Sequence, residues 1–457
     1  MARDVVDDQI VESRDALAAW LEAGCKPSGP FRVGTEHEKI PFYRDGLSPV
    51  PYTSEKGIRA LLEGMNVKLE WERIEDAGSL IGLYDEKSGA AISLEPGGQF
   101  ELSGAPLEDA HATAEELARH LDTCRSVAEP LGIGFLSLGM SPKWTLAETP
   151  AMPKSRYEIM TRYMPRVGTR GLDMMYRTAT VQANLDFRNE GDMVAKLRVG
   201  LALQPSITAL FANSPFTEGK LNGFLSARSE IWRHTDPART GMLAFAFEPG
   251  MGFERYVDYA LDVPLYFVKR GSAYLDVAGA SFRDLLAGKL AAAPGLRATI
   301  ADWANHLTSI FPEVRLKRYL EMRGADVGPS ERIVALAALM AGLFYDDEAL
   351  SAAQDLIKDW SAEDRQSLRD EAPRLGLPTK IRGGRDLRSA AIEMLAIAHG
   401  GLKRRARRNA KGEDETVHLR PLQASAGSGR SPAHDWIGLF ENRWRRSVDP
   451  AFIEAAF

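Results

Sequence analysis

The clearest periodic signal in the chain lies at residues 178–188, where Val181, Ala183, Leu185 and Phe187 alternate with Thr180, Gln182, Asn184 and Asp186. Alternation of this kind puts one set of side chains on each face of a β-strand. The segment therefore reads as half core and half site, with one apolar face and one face of amides and an acid. Further strand patterns occur at about 30–43, 90–104, 134–139, 264–269, 273–277 and 314–323. Helical spacing predicts helices over 8–23, 58–65, 112–131 and 192–211, the last interrupted by Pro205. From about residue 329 the pattern becomes helical, at 329–345, 348–359, 362–370 and 386–408, while 424–433 (ASAGSGRSPA) has the composition of a flexible loop. The expected architecture is α+β, an antiparallel sheet of about six strands enclosed by helices. Residues 1–328 would form the sheet-bearing body and 329–457 a helical portion packed on it as one continuous domain.

Composition narrows this little. The 457 residues are 44% hydrophobic and 26% charged, as in ordinary globular proteins. A net charge of -6 gives no electrostatic case for a nucleic-acid partner. The basic run Lys403–Arg408 ends a helical pattern, where cations complement the helix dipole. Two cysteines, Cys25 and Cys124, argue against a disulfide scaffold or a zinc site. The start, Met1 to Asp8, is acidic and lacks the apolar core of a secretory signal, and no run of about 18 apolar residues suggests a membrane span. These features lead to the expectation of a cytoplasmic protein without membrane or nucleic-acid partners, a monomer or weak homodimer.

Charge placement changes the picture more. In Gly34-Thr35-Glu36-His37-Glu38-Lys39, Glu36 and Glu38 project from the same strand face. Two adjacent carboxylates repel unless a cation or proton sits between them, and magnesium takes carboxylate oxygens while bridging to phosphates. His37 falls on the opposite face and reads as structural. Three further segments carry polar residues at the same spacing: Glu95, Gln99 and Glu101, with a bulge expected at Pro96-Gly97-Gly98; Gln182, Asn184 and Asp186; and Lys317, Tyr319, Glu321 and Arg323. Each alone is also what a solvated strand face looks like. Together they suggest a concave sheet that binds magnesium, with arginines neutralising phosphates or carboxylates. Arg156 and Arg162 read as exposed cations of a loop–helix, and Arg228 lies where a helix N-terminus could face an anion. Walker, Rossmann, HExxH and nucleophile-elbow patterns are all absent from the sequence.

The blocks GTEHEK (34–39), EPGGQFELSGAPL (95–107), MPKSRYEIMTRYMP (152–165), GLDMMYRTATVQANLDF (171–187) and FPEVRLKRYLEMRGAD (311–326), with others in the same order, resemble glutamate–cysteine ligases of the plant and proteobacterial type. The resemblance implies a glutamine synthetase/guanido kinase-like catalytic fold with a curved antiparallel sheet. It implies ATP-dependent joining of the γ-carboxylate of L-glutamate to the amine of L-cysteine through a γ-glutamyl phosphate. It further implies two or three Mg2+ ions on Glu36, Glu38, Glu95, Glu101 and Glu321, with Gln182, Asn184 and Arg323 lining the ATP site. Arg156, Arg162, Arg228 and Arg323 would serve the phosphates and substrate carboxylates, and Trp232, Tyr256 and Tyr259 are guesses for the cysteine pocket. Plant members carry redox-sensitive disulfides; Ala114 and Val334 stand where one such pair would lie, so no switch of that kind is expected here. The alternatives are a ligase of the same fold with another amine acceptor and a non-catalytic nucleotide-binding protein.

Overall fold

The computed structural model describes residues 7–457, so residues 1–6 of the acidic start lie outside it. Strand β1 (Val33–Tyr43) is the middle of a nine-stranded sheet in which every pairing is antiparallel. Its first half is flanked by β5 (Phe100–Ser103) and by β7 (Thr180–Leu185), and its second half pairs with β6 (Ile133–Leu136). Beyond β5 follow β4 (Ala91–Leu94), β3 (Ser79–Tyr84) and β2 (Glu72–Asp76). Beyond β7 lies a hairpin of Leu320–Asp326 and Val314–Leu316.

The sheet exceeds the six expected strands for three local reasons. The 90–104 pattern breaks into β4 and β5 at a tight turn, closed by Gly98 N donating to Glu95 O at 2.9 Å, with Gly98 at φ 86. That is a full reversal where a bulge was expected. Likewise 314–323 is a hairpin, turning where Lys317 N donates to Tyr319 O at 2.9 Å. Finally β2 and β3 form a hairpin whose outer strand is largely exposed, so apolar periodicity does not mark it.

The apolar face of the sheet is buried under helices. Val181, Ala183 and Leu185 are fully buried and share one core with Leu197 of the helix Glu190–Phe211, Ala337 of Ser330–Phe344 and Leu402 of Leu387–Arg405. The helices after residue 329 are thus packed on the body through this core. The helix Glu190–Phe211 runs through Pro205 without the expected interruption. The 424–433 segment is also no loop: its glycines and serines end one helix (Arg420–Ser428) at Gly429, φ 74, and start the next (Pro432–Glu441) at Ser431. Among the described residues no helix is long and apolar enough to cross a membrane.

The helices Ser330–Phe344 and Leu387–Arg405 approach so closely that a Cβ on Gly401 would lie 2.0 Å from the Gly342 carbonyl oxygen. Alanine ordinarily favours a helix over glycine by about 1 kcal/mol. Here overpacking, at about 1–3 kcal/mol, outweighs that gain. Gly401→Ala is expected to lower the thermal midpoint of the protein, and a raised midpoint in calorimetry would show that this contact has slack.

Candidate active site

The polar face of the sheet opens into a cavity of about 120 Å3. Glu36 and Glu38 reach it from β1, Glu101 from β5 and Glu95 from the β4–β5 turn. Cross-strand register makes the cluster: Glu38 stands opposite Glu101, and Glu36 opposite Gln182. Each carboxylate has a neutral donor. Asn184 Nδ2 donates to Glu36 at 2.7 Å, Thr180 N to Glu38 at 2.9 Å, Ser103 Oγ to Glu101 at 2.8 Å and Tyr157 OH to Glu95 at 3.1 Å. None of the four forms an ion pair among the described residues. Burial, with the negative charges of Glu95 and Glu101 beside it, pushes the Glu38 carboxyl well above the usual range.

Arginines line the other side of the cavity: Arg156, Arg228, Arg315 and Arg323. Arg315 and Arg323 are held by Glu321, which is fully buried and not part of the lining. Arg315 Nη2 and Arg323 Nη1 each lie 2.6 Å from its Oε2. Lys317 Nζ approaches Oε1 to 2.9 Å as an ion pair outside hydrogen-bond geometry. Burial alone would push the Glu321 carboxyl up; Arg315, Lys317 and Arg323 instead hold it well below the usual range. Arg323 Nη1 also donates to Gln182 Oε1 at 2.8 Å.

A register shift between Met322 and Ala325 supplies the aim of Arg323. Gly324 in this bulge lies against Gln204, where a Cβ would come within 2.0 Å of Nε2. The Arg323 carbonyl accepts from Arg228 Nη2 at 3.0 Å, tying the two arginines together. Arg228 is seated through its backbone: its N donates to Ser214 Oγ, which donates to the buried Asp326 at 2.6 Å. Ser226 Oγ, the cap of the helix Ala227–Arg233, donates to the same carboxylate at 2.9 Å. This helix start is therefore occupied by an internal acid rather than open to an anion.

Of the residues singled out from sequence, Glu36, Glu38, Glu95, Glu101, Gln182, Arg156, Arg228 and Arg323 line the cavity. Asn184 stands behind it, orienting Glu36. Two more residues, Arg162 and Glu321, lie outside the cavity lining. Arg162 is half exposed and pairs with Asp276 at 3.0 Å outside the cavity, because the helix Ser155–Val167 turns it to solvent. Glu321 lies outside the lining, held by Arg315, Lys317 and Arg323. Tyr256 and Tyr259 belong to the core around Phe245 and Val257, whereas Trp232 does line the cavity. Arg315 and Tyr157 are functional neighbours that strand periodicity could not reveal, since one lies across a hairpin and the other on a helix. His37 points away, with Nδ1 3.3 Å from Lys39 Nζ, and its burial lowers its pKa well below the usual value.

Among the described residues no three acids, histidines or cysteines converge as a ready metal cage. The donor set nevertheless fits a hard divalent cation: three buried carboxylates and the half-buried Glu95, oxygen-only and without cationic partners, one of them strongly disfavoured as an anion. An acidic half facing an arginine-lined half on an antiparallel sheet suits an enzyme that brings anions together with metal ions.

Comparison with known proteins gives the family. The chain belongs to glutamate–cysteine ligase family 2, whose model matches residues 32–451. It is an enzyme of that ligase family. It is 53% identical to the chloroplastic glutamate–cysteine ligase B of Oryza sativa subsp. japonica, over 97% of this chain and 87% of that one. It is 52% identical to the chloroplastic glutamate–cysteine ligase of Arabidopsis thaliana, over 97% of this chain and 83% of that one. A crystal structure of glutamate–cysteine ligase from Francisella tularensis in complex with AMP shares the fold, with a TM-score of 0.55 at 12% identity, covering 93% of this chain and 87% of that one. The chloroplastic relatives overturn the cytoplasmic expectation. Few cysteines speak against disulfides and do not separate one reducing compartment from another.

The two kinds of acid have opposite expected effects on stability. Glu321→Gln leaves three buried cations uncompensated and should cost about 3–5 kcal/mol. Glu38→Gln removes a buried like charge while keeping an acceptor for Thr180 N, and should stay within about 1 kcal/mol of the parent or exceed it. Urea unfolding of the metal-free proteins checks both; equal losses would contradict the assignment of Glu321 to the cations.

Proposed function

We propose that this enzyme joins the γ-carboxylate of L-glutamate to the amine of L-cysteine with conversion of ATP to ADP, the first step of glutathione biosynthesis. The observation that carries this reading is the division of one cavity into four unpaired acids and four arginines, in a chain of the glutamate–cysteine ligase family. A γ-carboxylate oxygen of glutamate attacks the γ-phosphorus of ATP, the bond to the β-phosphate oxygen breaks, and ADP leaves. The cysteine amine then attacks the carbonyl carbon of the γ-glutamyl phosphate, loses a proton and expels phosphate.

Both steps crowd anions, so the main demand on the protein is to hold them and neutralise charge. Arg323 meets that demand rigidly: Nη1 is fixed by Glu321 and Gln182, which leaves its other N–H groups for an anion. Arg228, tied to the Arg323 carbonyl, adds a second positive charge at a fixed offset. Arg156 extends the cationic wall toward the neighbouring cavity of about 350 Å3, which it also lines. Magnesium on Glu36, Glu38, Glu95 and Glu101 would neutralise the phosphate oxygens. The apolar remainder of the wall, Met160, Met174, Met175, Trp232, Phe267 and Phe311, excludes water that would hydrolyse an acyl phosphate.

The test is ADP release with glutamate, ATP and magnesium in the presence of L-cysteine, 2-aminobutyrate, alanine or putrescine. Strong stimulation by cysteine and weaker stimulation by 2-aminobutyrate is the expected result. Stimulation by another amine alone would move the enzyme to a sister activity.

A further inference from the structure

Three of the four cavity acids sit on strands paired on both sides; Glu95 sits on a turn. That turn is clamped from outside by the segment 152–157. Met152 N donates to Pro96 O at 3.0 Å, and Lys154 Nζ donates to Leu94 O at 2.7 Å. The Tyr157 hydroxyl lies 3.1 Å from the Leu94 carbonyl and 3.1 Å from Glu95 Oε1. A phenol has one proton. Lys154 already serves the Leu94 carbonyl, so the phenolic proton is available to Glu95. It is the one hydrogen bond that the Glu95 carboxylate accepts among the described residues. Glu38 and Glu95 repel across the cavity. The Glu95 backbone is fixed by its N donating to Gln99 O at 2.9 Å, which leaves the carboxylate itself to the Tyr157 hydroxyl.

We propose that Tyr157 is a positioning residue for the acidic half of the site: its hydroxyl holds the turn-borne Glu95 carboxylate in the cavity and thereby sets the affinity for the divalent cation. The assignment rests on the metal reading given above. Tyr157 itself ligates nothing; it acts through Glu95, as partners behind metal ligands do when they orient them. Its ring is buried, and phenylalanine keeps that packing, so the hydroxyl can be removed without opening a hole.

Mn2+ binding to the full chain, followed without substrates by the electron paramagnetic resonance signal of free Mn2+, separates the possibilities. Y157F is expected to bind Mn2+ about tenfold more weakly than the parent, with an unchanged thermal midpoint of the metal-free protein. E95Q is expected to lose at least as much, and adding Y157F to E95Q should weaken binding no further, because both changes remove the same ligand. Parent-like binding by Y157F, or losses that multiply in the double variant, would overturn the role of Tyr157 while leaving the metal site standing. Absence of Mn2+ binding by the parent would overturn the metal reading and this assignment together.

Discussion

Three cations gathered on one buried carboxylate are the constraint on which this site depends. Arg315, Lys317 and Arg323 converge on Glu321 in the sheet interior, where unpaired charge is most costly. The cluster is buried yet carries an excess of positive charge beside four carboxylates that lack cationic partners. Opposite charges so close would pair with one another on a mobile scaffold, closing the cavity. Glu321 gives the cations a nearer partner, and the acids across the cavity are left to take something else.

The sheet makes that separation rigid. Every cavity acid but Glu95 is placed by register on strands bonded on both sides. The cations come from the hairpin at one sheet edge, from the helix Ala227–Arg233 and from the helix Ser155–Val167 beside the β4–β5 turn. The bulge at Gly324 departs from regular geometry beside the site, turning Arg323 toward the cavity while its carbonyl binds Arg228. Asp326, three residues after Arg323, then fixes the start of the helix that carries Arg228. The positions of Arg323 and Arg228 are thus set by one strand and its contacts.

Much of this was legible in the residue pattern. Period-two alternation found β1 and β7 and placed Glu36, Glu38 and Gln182 on one face, because strand geometry alone dictates which side chains share a face. The helices after residue 329 were legible from apolar spacing. What failed were the reversals. Pro96-Gly97-Gly98 and Lys317-Arg318-Tyr319 both turn the chain through a full hairpin, and alternation reads on through a turn as though the strand continued. That reading missed the ion pair of Glu321 with Arg315, which lies across a hairpin that periodicity does not show. Arg162 failed for another reason: helix phase, set by packing of Tyr157, Ile159, Met160, Tyr163 and Met164, decides which arginine faces the cavity. Compartment was not legible at all, because reducing compartments share the same composition.

The central claim is that the cavity holds two anions for direct phosphoryl transfer to the glutamate γ-carboxylate. L-Glutamate labelled with oxygen-18 in its γ-carboxylate, turned over to completion with ATP and L-cysteine, tests it most directly. One labelled oxygen per turnover in the inorganic phosphate, seen by the isotope shift in its phosphorus resonance, is the expected result. Unlabelled phosphate with normal dipeptide formation would contradict the account, because the carboxylate oxygen would then never have been bonded to phosphorus.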